Sequence, residues 1–246
     1  MNLYESDELL QQYLIFHYAL PEQQFPYKFL ASEAANFPQR CAQAGVDRCR
    51  LPIDARALDL GCSVGAASFT LSTFCSEVIG LDYSQAFIDA ANQLRSTGTL
   101  TAQRHDEGLA QTAIQIKPPQ DARPDRLQFV QGDAQALPSN LGQFDCVLAC
   151  NLICRLQQPQ LLLQRLASLL RPGGQLFITT PFTWMESFTP VENWLADAQG
   201  DSFTGLQDAL AADFELEAHW DMPFLIREHA RKYQYSVAQA SRWIRR

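Results

Sequence analysis

The sequence predicts an α/β fold built on a doubly wound, mostly parallel sheet, and three observations carry that prediction. Short apolar runs alternate with helical patterns from residue 57 to residue 180. A glycine-bearing turn, Asp59-Leu60-Gly61-Cys62-Ser63-Val64-Gly65, follows the first run directly, and acids, Asp82 and Asp133, close the next two. Strands alternating with helices at this spacing form right-handed βαβ units, which bury both faces of the sheet and leave its strand ends open to a ligand.

Residues 57–60, 78–81, 127–130, 144–149 and 175–180 read as buried strands, with helical periodicity between them at 66–75, 84–94 and 159–170. The stretch 96–126, where Gly98, Gly108, Pro118, Pro119 and Pro124 stand among polar residues, reads as a partly helical insertion on the rim. Residues 214–221 look like a strand and 236–244 alternate towards a basic tail, so a closing antiparallel pair completes a seven-stranded sheet. Ahead of the first strand, 6–19 has helical periodicity with Asp7 and Glu8 in its first turn, and 32–44 suits a second helix. These helices, within residues 1–50, are expected to cap the ligand edge of a core spanning 51–246.

A chain of 246 residues that is 47% hydrophobic and 19% charged buries a real core as one domain, which excludes disorder. Nineteen basic against 27 acidic side chains leave a net charge of −8. That balance repels polyanions, so nucleic acid is not an expected partner. No stretch approaches the roughly 20 apolar residues of a membrane span, and the N-terminus carries acids where a signal peptide carries Lys or Arg, so a cytoplasmic location is expected. The seven cysteines are odd in number and sit mostly in apolar segments, as reduced thiols do. Cys146 and Cys150 share a strand parity and read as small core residues, and no His, Cys, Asp or Glu spacing suggests a metal site.

The glycine turn is the strongest chemical signal. Gly61 and Gly65 let the backbone turn sharply and come close to a ligand, with Cys62 packed beneath and Ser63 between them. Asp82, followed by Tyr83, stands seventeen residues beyond Gly65 and suits the two hydroxyls of an adenosine ribose. Asp133, followed by Ala134, suits an adenine amino group. The row Gly61, Ser63, Gly65 and Ala66 lacks the third glycine of dinucleotide binders. Asp59 would repel a pyrophosphate but suits a cationic amino-acid tail. With Pro172-Gly173-Gly174 ahead of the fifth run, the pattern resembles the class I S-adenosylmethionine-dependent methyltransferases. That resemblance implies S-adenosylmethionine as cofactor and S-adenosylhomocysteine as its product.

Further segments lie outside this common core: Asn2-Leu3-Tyr4-Glu5-Ser6, Tyr13 to Tyr18 (YLIFHY), Phe37-Pro38 with Arg40-Cys41-Ala42, and Asn151-Leu152-Ile153 with Arg155-Leu156. They continue with Thr180-Pro181-Phe182-Thr183-Trp184, Glu186, Thr189-Pro190, Trp194-Leu195, Pro223-Phe224, Ile226-Arg227-Glu228 and Ala230-Arg231-Lys232-Tyr233-Gln234. Together they resemble, nearly end to end, the C-terminal methyltransferase domain of ovothiol synthase, the thiohistidine N-methyltransferase family. The resemblance implies methyl transfer to the imidazole nitrogen nearest the side-chain carbon of 5-thiohistidine or a selenium analogue. It also implies an upstream iron-dependent sulfoxide synthase as a partner in the same pathway.

An amino-acid acceptor brings a carboxylate, an ammonium and a polarisable ring, so its pocket should offer a cation, an acceptor and aromatic walls. Asn151, at the end of the fourth strand, is placed to meet the reacting atom or to serve only as a turn residue. Arg155 reads as a carboxylate clamp or a surface ion pair, and Arg227 and Lys232, in a basic segment ending at Tyr233, are rival clamps. Trp184, beside Phe182, reads as a stacking platform or as core. Tyr13 and His17 suit a lid, with His17 as a general base or a satisfied core histidine. Two other readings remain: a methyltransferase for another small acceptor, and a cofactor-binding partner of a synthase without chemistry of its own.

Overall fold

The structure, a computed structural model, describes residues 3–29, 32–196 and 200–246; Asn2 of the first resembling segment lies outside them. Its strands are β1 (Arg56–Leu60), β2 (Glu77–Asp82), β3 (Leu100–Glu107), β4 (Ala110–Ile116), β5 (Leu127–Gln131), β6 (Phe144–Cys150), β7 (Leu170–Thr180), β8 (Phe214–His229) and β9 (Lys232–Arg245). Its α-helices are α1 (Asp7–Tyr18), α2 (Pro21–Gln24), α3 (Phe37–Gly45), α4 (Ala66–Leu71), α5 (Gln85–Thr97), α6 (Pro159–Leu169) and α7 (Ser202–Leu210).

Seven strands form one sheet in the order β5-β2-β1-β6-β7-β9-β8. Neighbours pair in parallel from β5 to β7, and β9 runs antiparallel to both β7 and β8. Alternation along β1 sends Ala57 to the face covered by α3, α4 and α5, and Leu58 and Leu60 to the face covered by α6 and α7. Each fully buried Leu, Ile or Phe on these faces contributes roughly 1.5–3 kcal/mol. The chain works outward from β1 through β2 to β5, then returns to lay β6 on the other side of β1. This reversal opens a crevice between the carboxyl ends of β1 and β6, where such sheets bind ligands.

Four elements differ from the sequence reading. The insertion is a β-hairpin rather than partly helical: β3 and β4 pair antiparallel around Gly108, and Ala102, Ile114 and Ile116 bury its inner side. The second N-terminal helix begins at Phe37 and lies on the sheet face, where its Gly45 packs on the Phe177 ring. The helix α7, which the sequence reading missed, starts at Asp201, whose carboxylate accepts the N–H groups of Phe203 and Thr204. Finally, β8 and β9 pair from Phe214↔Arg245 to His229↔Lys232, whereas β7 ends opposite Gln239. The hairpin therefore overshoots the sheet by about seven residues, roughly 23 Å of strand.

Of the N-terminal helices, α1 is the one that covers the ligand edge. Ser6 caps its start by accepting the Leu9 N–H, and at its end the Tyr18 hydroxyl donates to the Val64 carbonyl at 2.7 Å. At 100° per residue, Tyr13 and His17 share one side of α1, and Asp7, Glu8, Gln11, Gln12 and Ile15 the other.

Candidate functional site

The glycine loop is tied to the second strand. The N–H groups of Gly61 and Cys62 both donate to the Leu81 carbonyl, at 2.8 and 3.0 Å, and the Ser63 N–H donates to Asp82 Oδ2 at 2.8 Å. Gly65 has φ +91°, and a Cβ there would stand 2.7 Å from the Phe129 ring, so no other residue fits without displacing β5. Asp82 also accepts the Ser84 N–H at Oδ1, 2.9 Å. Both of its oxygens are held in place, and each keeps a lone pair for a further hydrogen bond. Burial raises the Asp82 pKa against the opposing pull of these N–H groups.

The remaining expected cofactor residues line the same edge. Asp133 Oδ1 accepts from the backbone and side chain of Gln135, and Oδ2 takes no partner among the described residues. Ala134 is buried beside it, and Tyr83 stands exposed at the rim. Cys62 is buried under the loop, as expected. The Ser63 hydroxyl is buried without a hydrogen-bond partner among the described residues. An orphaned hydroxyl of this kind costs about 1–3 kcal/mol and fits a site completed by a polar ligand.

Asp59 corrects one expectation. Rather than standing open to a ligand, it is 2% exposed beneath the loop and accepts the Ser68 hydroxyl at 2.6 Å. From there it can act on a cationic ligand only through its field, and burial pushes its pKa up to about 6. The folded state thus holds this proton more tightly than the unfolded chain, whose Asp titrates near 3.8. Ionisation therefore costs folding stability as pH rises through about 6, and a bound cation offsets that cost. S-adenosylhomocysteine affinity, measured by calorimetry from pH 5 to 7.5, is expected to tighten several-fold as Asp59 ionises. Asp59→Asn should flatten most of the profile, leaving the part due to Asp82.

Across the crevice lies an aromatic cluster. The Tyr13 ring sits 5.1 Å from Phe87 of α5, 6.0 Å from Tyr4 and 6.1 Å from His17. Arg155 follows β6; its Nη1 donates to the carbonyls of Thr183 at 2.8 Å and Cys154 at 3.1 Å, and its guanidinium lies 5.0 Å from the Phe188 ring centre. Burial raises the Tyr13 phenol, and Tyr4, Arg155 and Asp82 all lie close enough to act on it. His17 is buried, its Nδ1 has no partner among the described residues, and burial lowers its pKa to about 3.

Asn151 meets the crevice at the end of β6. Its N–H donates to the Thr179 carbonyl at 2.7 Å and its Oδ1 accepts the Thr179 hydroxyl at 3.1 Å, so among the described residues its amide N–H groups remain free. Three non-glycine residues at this edge are left-handed: Ser63 (φ 51°), Asn151 (φ 52°) and Phe182 (φ 47°). Such conformations cost of order 1–3 kcal/mol each and gather at functional sites.

The structure does not bring every expected residue here. Arg227 is 5% exposed, and its guanidinium donates to the carbonyls of Gln24 and His105, to the Tyr233 hydroxyl and to Asp106 Oδ1. It lines an open groove of about 830 Å³ on the outer side of α1, away from Tyr13 and His17. Lys232 pairs with Glu228 at the hairpin tip, and the Tyr233 hydroxyl donates to the Ala230 carbonyl. Arg227 ties the β8–β9 arm to the N-terminal segment and β3, Tyr233 packs against Tyr27, and the Lys232 pair stays within the hairpin. The Trp184 indole donates to the Ser202 hydroxyl at 2.9 Å and stacks on Trp194, which fastens the loop after β7 to α7. Trp184→Ala is accordingly expected to lower Tm by about 5 °C, with S-adenosylhomocysteine affinity unchanged by calorimetry. Two contributors were not anticipated, Phe188 and Tyr4, since a lone aromatic in a loop or near a terminus carries no periodic signal.

Residues 58–178 match a family model described as "Methyltransferase domain". The chain is 27% identical over 172 residues to the biotin biosynthesis bifunctional protein BioHC of Cellvibrio japonicus, covering 68% of this chain and 28% of that protein. It is 26% identical over 129 residues to a ubiquinone biosynthesis O-methyltransferase of Xanthomonas axonopodis pv. citri, covering 52% and 44%. It therefore spans less than half the length of either curated relative. Magnesium protoporphyrin IX methyltransferase from Synechocystis PCC 6803, solved with bound SAH, shares the fold at TM-score 0.60 and 15% identity, over 99% of this chain and 96% of that one. No helix among the described residues is long and apolar enough to cross a membrane. Residues 58–178 thus match a methyltransferase domain, the fold is that of the class I methyltransferases, S-adenosylmethionine is the cofactor, and the glycine loop, Asp82 and the switch-point crevice form its candidate edge.

Proposed function

We propose that the protein transfers a methyl group to the imidazole nitrogen nearest the side-chain carbon of 5-thiohistidine or its selenium analogue. The observation that carries this reading is a convergence. Tyr4, Tyr13 with His17, Arg155 and Thr183 come from four separate segments that resemble thiohistidine N-methyltransferases, and they meet across the crevice from the glycine loop.

When bound, S-adenosylmethionine supplies an electrophilic methyl group on a sulfonium. The chain's own task is to place the acceptor nitrogen in line and unprotonated, and positioning of this kind accounts for most of the rate. Arg155 binds the acceptor carboxylate through the guanidinium edge not held by Thr183 and Cys154. Tyr13 and Phe188 wall the ring, and the free amide N–H groups of Asn151 hold the acceptor at the end of β6. His17, with a pKa near 3, stays neutral at physiological pH and packs behind Tyr13 rather than acting as a general base.

The test is mass spectrometry and NMR of products formed from S-adenosylmethionine with 5-thiohistidine, 5-selenohistidine and histidine. One added methyl on the ring nitrogen of a chalcogen-bearing histidine, with none on histidine, is the expected result. Bound cofactor without product from any of the three would overturn the acceptor assignment and favour a different carboxylated aromatic acceptor.

A further inference from the structure

Tyr4 joins the two halves of the site. Its carbonyl accepts the Ser84 hydroxyl at 3.0 Å, and the adjacent Glu5 carboxylate accepts the N–H groups of Gln85 at 2.9 Å and Ala86 at 3.3 Å. Residues 4 and 5 are thereby pinned to the start of α5, two residues beyond the ribose acid Asp82. On its other side the Tyr4 ring meets Tyr13 and Phe87 edge-on, both at 6.0 Å, and Phe188 at 6.2 Å. Its hydroxyl lies against the Arg155 guanidinium and the Tyr13 hydroxyl, and Arg155 draws the phenol pKa down against the dominant rise from burial.

Arg155 is therefore held from two directions. Nη1 is fixed to its own loop through Thr183 and Cys154, and the Phe188 ring lies against the guanidinium. The Tyr4 hydroxyl lies against the same guanidinium. A guanidinium recognises a carboxylate best when its planar fork is fixed before binding.

We propose that Tyr4 is a positioning residue of the acceptor site: its hydroxyl orients the free edge of the Arg155 guanidinium towards the carboxylate of an amino-acid acceptor. Its attachment to α5 couples that orientation to the cofactor half. The inference rests on the reading that the acceptor is an amino acid with a free carboxylate.

The test is calorimetric titration of the S-adenosylhomocysteine complex with 5-thiohistidine and with its decarboxylated amine, which keeps the ring and ammonium. The wild type should prefer the carboxylated ligand by about 10-fold or more. Tyr4→Phe keeps the ring packing and should remove most of that preference, leaving S-adenosylhomocysteine affinity and Tm unchanged. Combined with Arg155→Lys, it should add nothing beyond Arg155→Lys alone. A preference that survives in Tyr4→Phe, or equal losses for acceptor and S-adenosylhomocysteine, would overturn the proposal. If the wild-type complex binds neither amine nor amino acid, the amino-acid reading falls and the Tyr4 role falls with it.

Discussion

Asp82→Ala is expected to weaken S-adenosylhomocysteine binding by about 100-fold or more, the largest single effect on the cofactor half. Two charge-assisted hydrogen bonds to ribose hydroxyls, at roughly 1.5–3 kcal/mol each, account for that magnitude. A second contribution comes from the apoprotein. Asp82 accepts the N–H groups of Ser63 and Ser84, so its removal frees a left-handed residue of the glycine loop and the start of α5. Asp82→Asn keeps one acceptor and should lose less. Calorimetry reads the affinity directly, and a dissociation constant within a factor of three of wild type in Asp82→Ala would place the ribose elsewhere.

Arg155→Ala should lower kcat/KM for the acceptor by about 100-fold, because an amino-acid carboxylate then faces only aromatic rings and neutral amides. S-adenosylhomocysteine affinity should hardly change, since Arg155 meets the loops after β6 and β7 and Tyr4, and among the described residues makes no hydrogen bond to the glycine loop. Arg227→Ala supplies the contrast. Its guanidinium ties Gln24, His105, Asp106 and Tyr233 together, so its loss should lower Tm and leave the KM of the stable fraction near wild type. Steady-state kinetics beside thermal melts separate the two. An unchanged acceptor KM in Arg155→Ala would remove the clamp assignment.

The parts legible in the sequence share a physical character. β1, β2, β6 and the second half of β7 are near-continuous apolar runs because both sheet faces are covered, and the glycine loop is legible because its φ values and close approach to Phe129 admit few residues. The β3–β4 hairpin was misread because it is polar on one side, with Ala102, Ile114 and Ile116 alone marking its buried face. Helix α7 carries only its Asp201 cap and two fully buried leucines, Leu206 and Leu210. The reach of β8 to His229 was hidden in the same way, since beyond β7 it pairs with β9 alone and packs on α1, without the run of apolar residues that two covered faces require.

The sequence by itself determined the class of fold and the glycine turn, because local rules of turn geometry and burial pattern leave little choice at those positions, and its resemblance to class I methyltransferases supplied the cofactor. Which basic residue lies beside the crevice was decided only by tertiary structure. Arg155, Arg227 and Lys232 are equivalent as charges along a chain, but α1 stands between them. The side of that helix facing the sheet meets Arg155 through Tyr13 and Tyr4, and the opposite side meets Arg227. Asp59 was displaced from ligand contact for a related reason: strand alternation points it under the loop at Ser68. A charge interacts over a few ångströms of space, and sequence separation does not measure that distance.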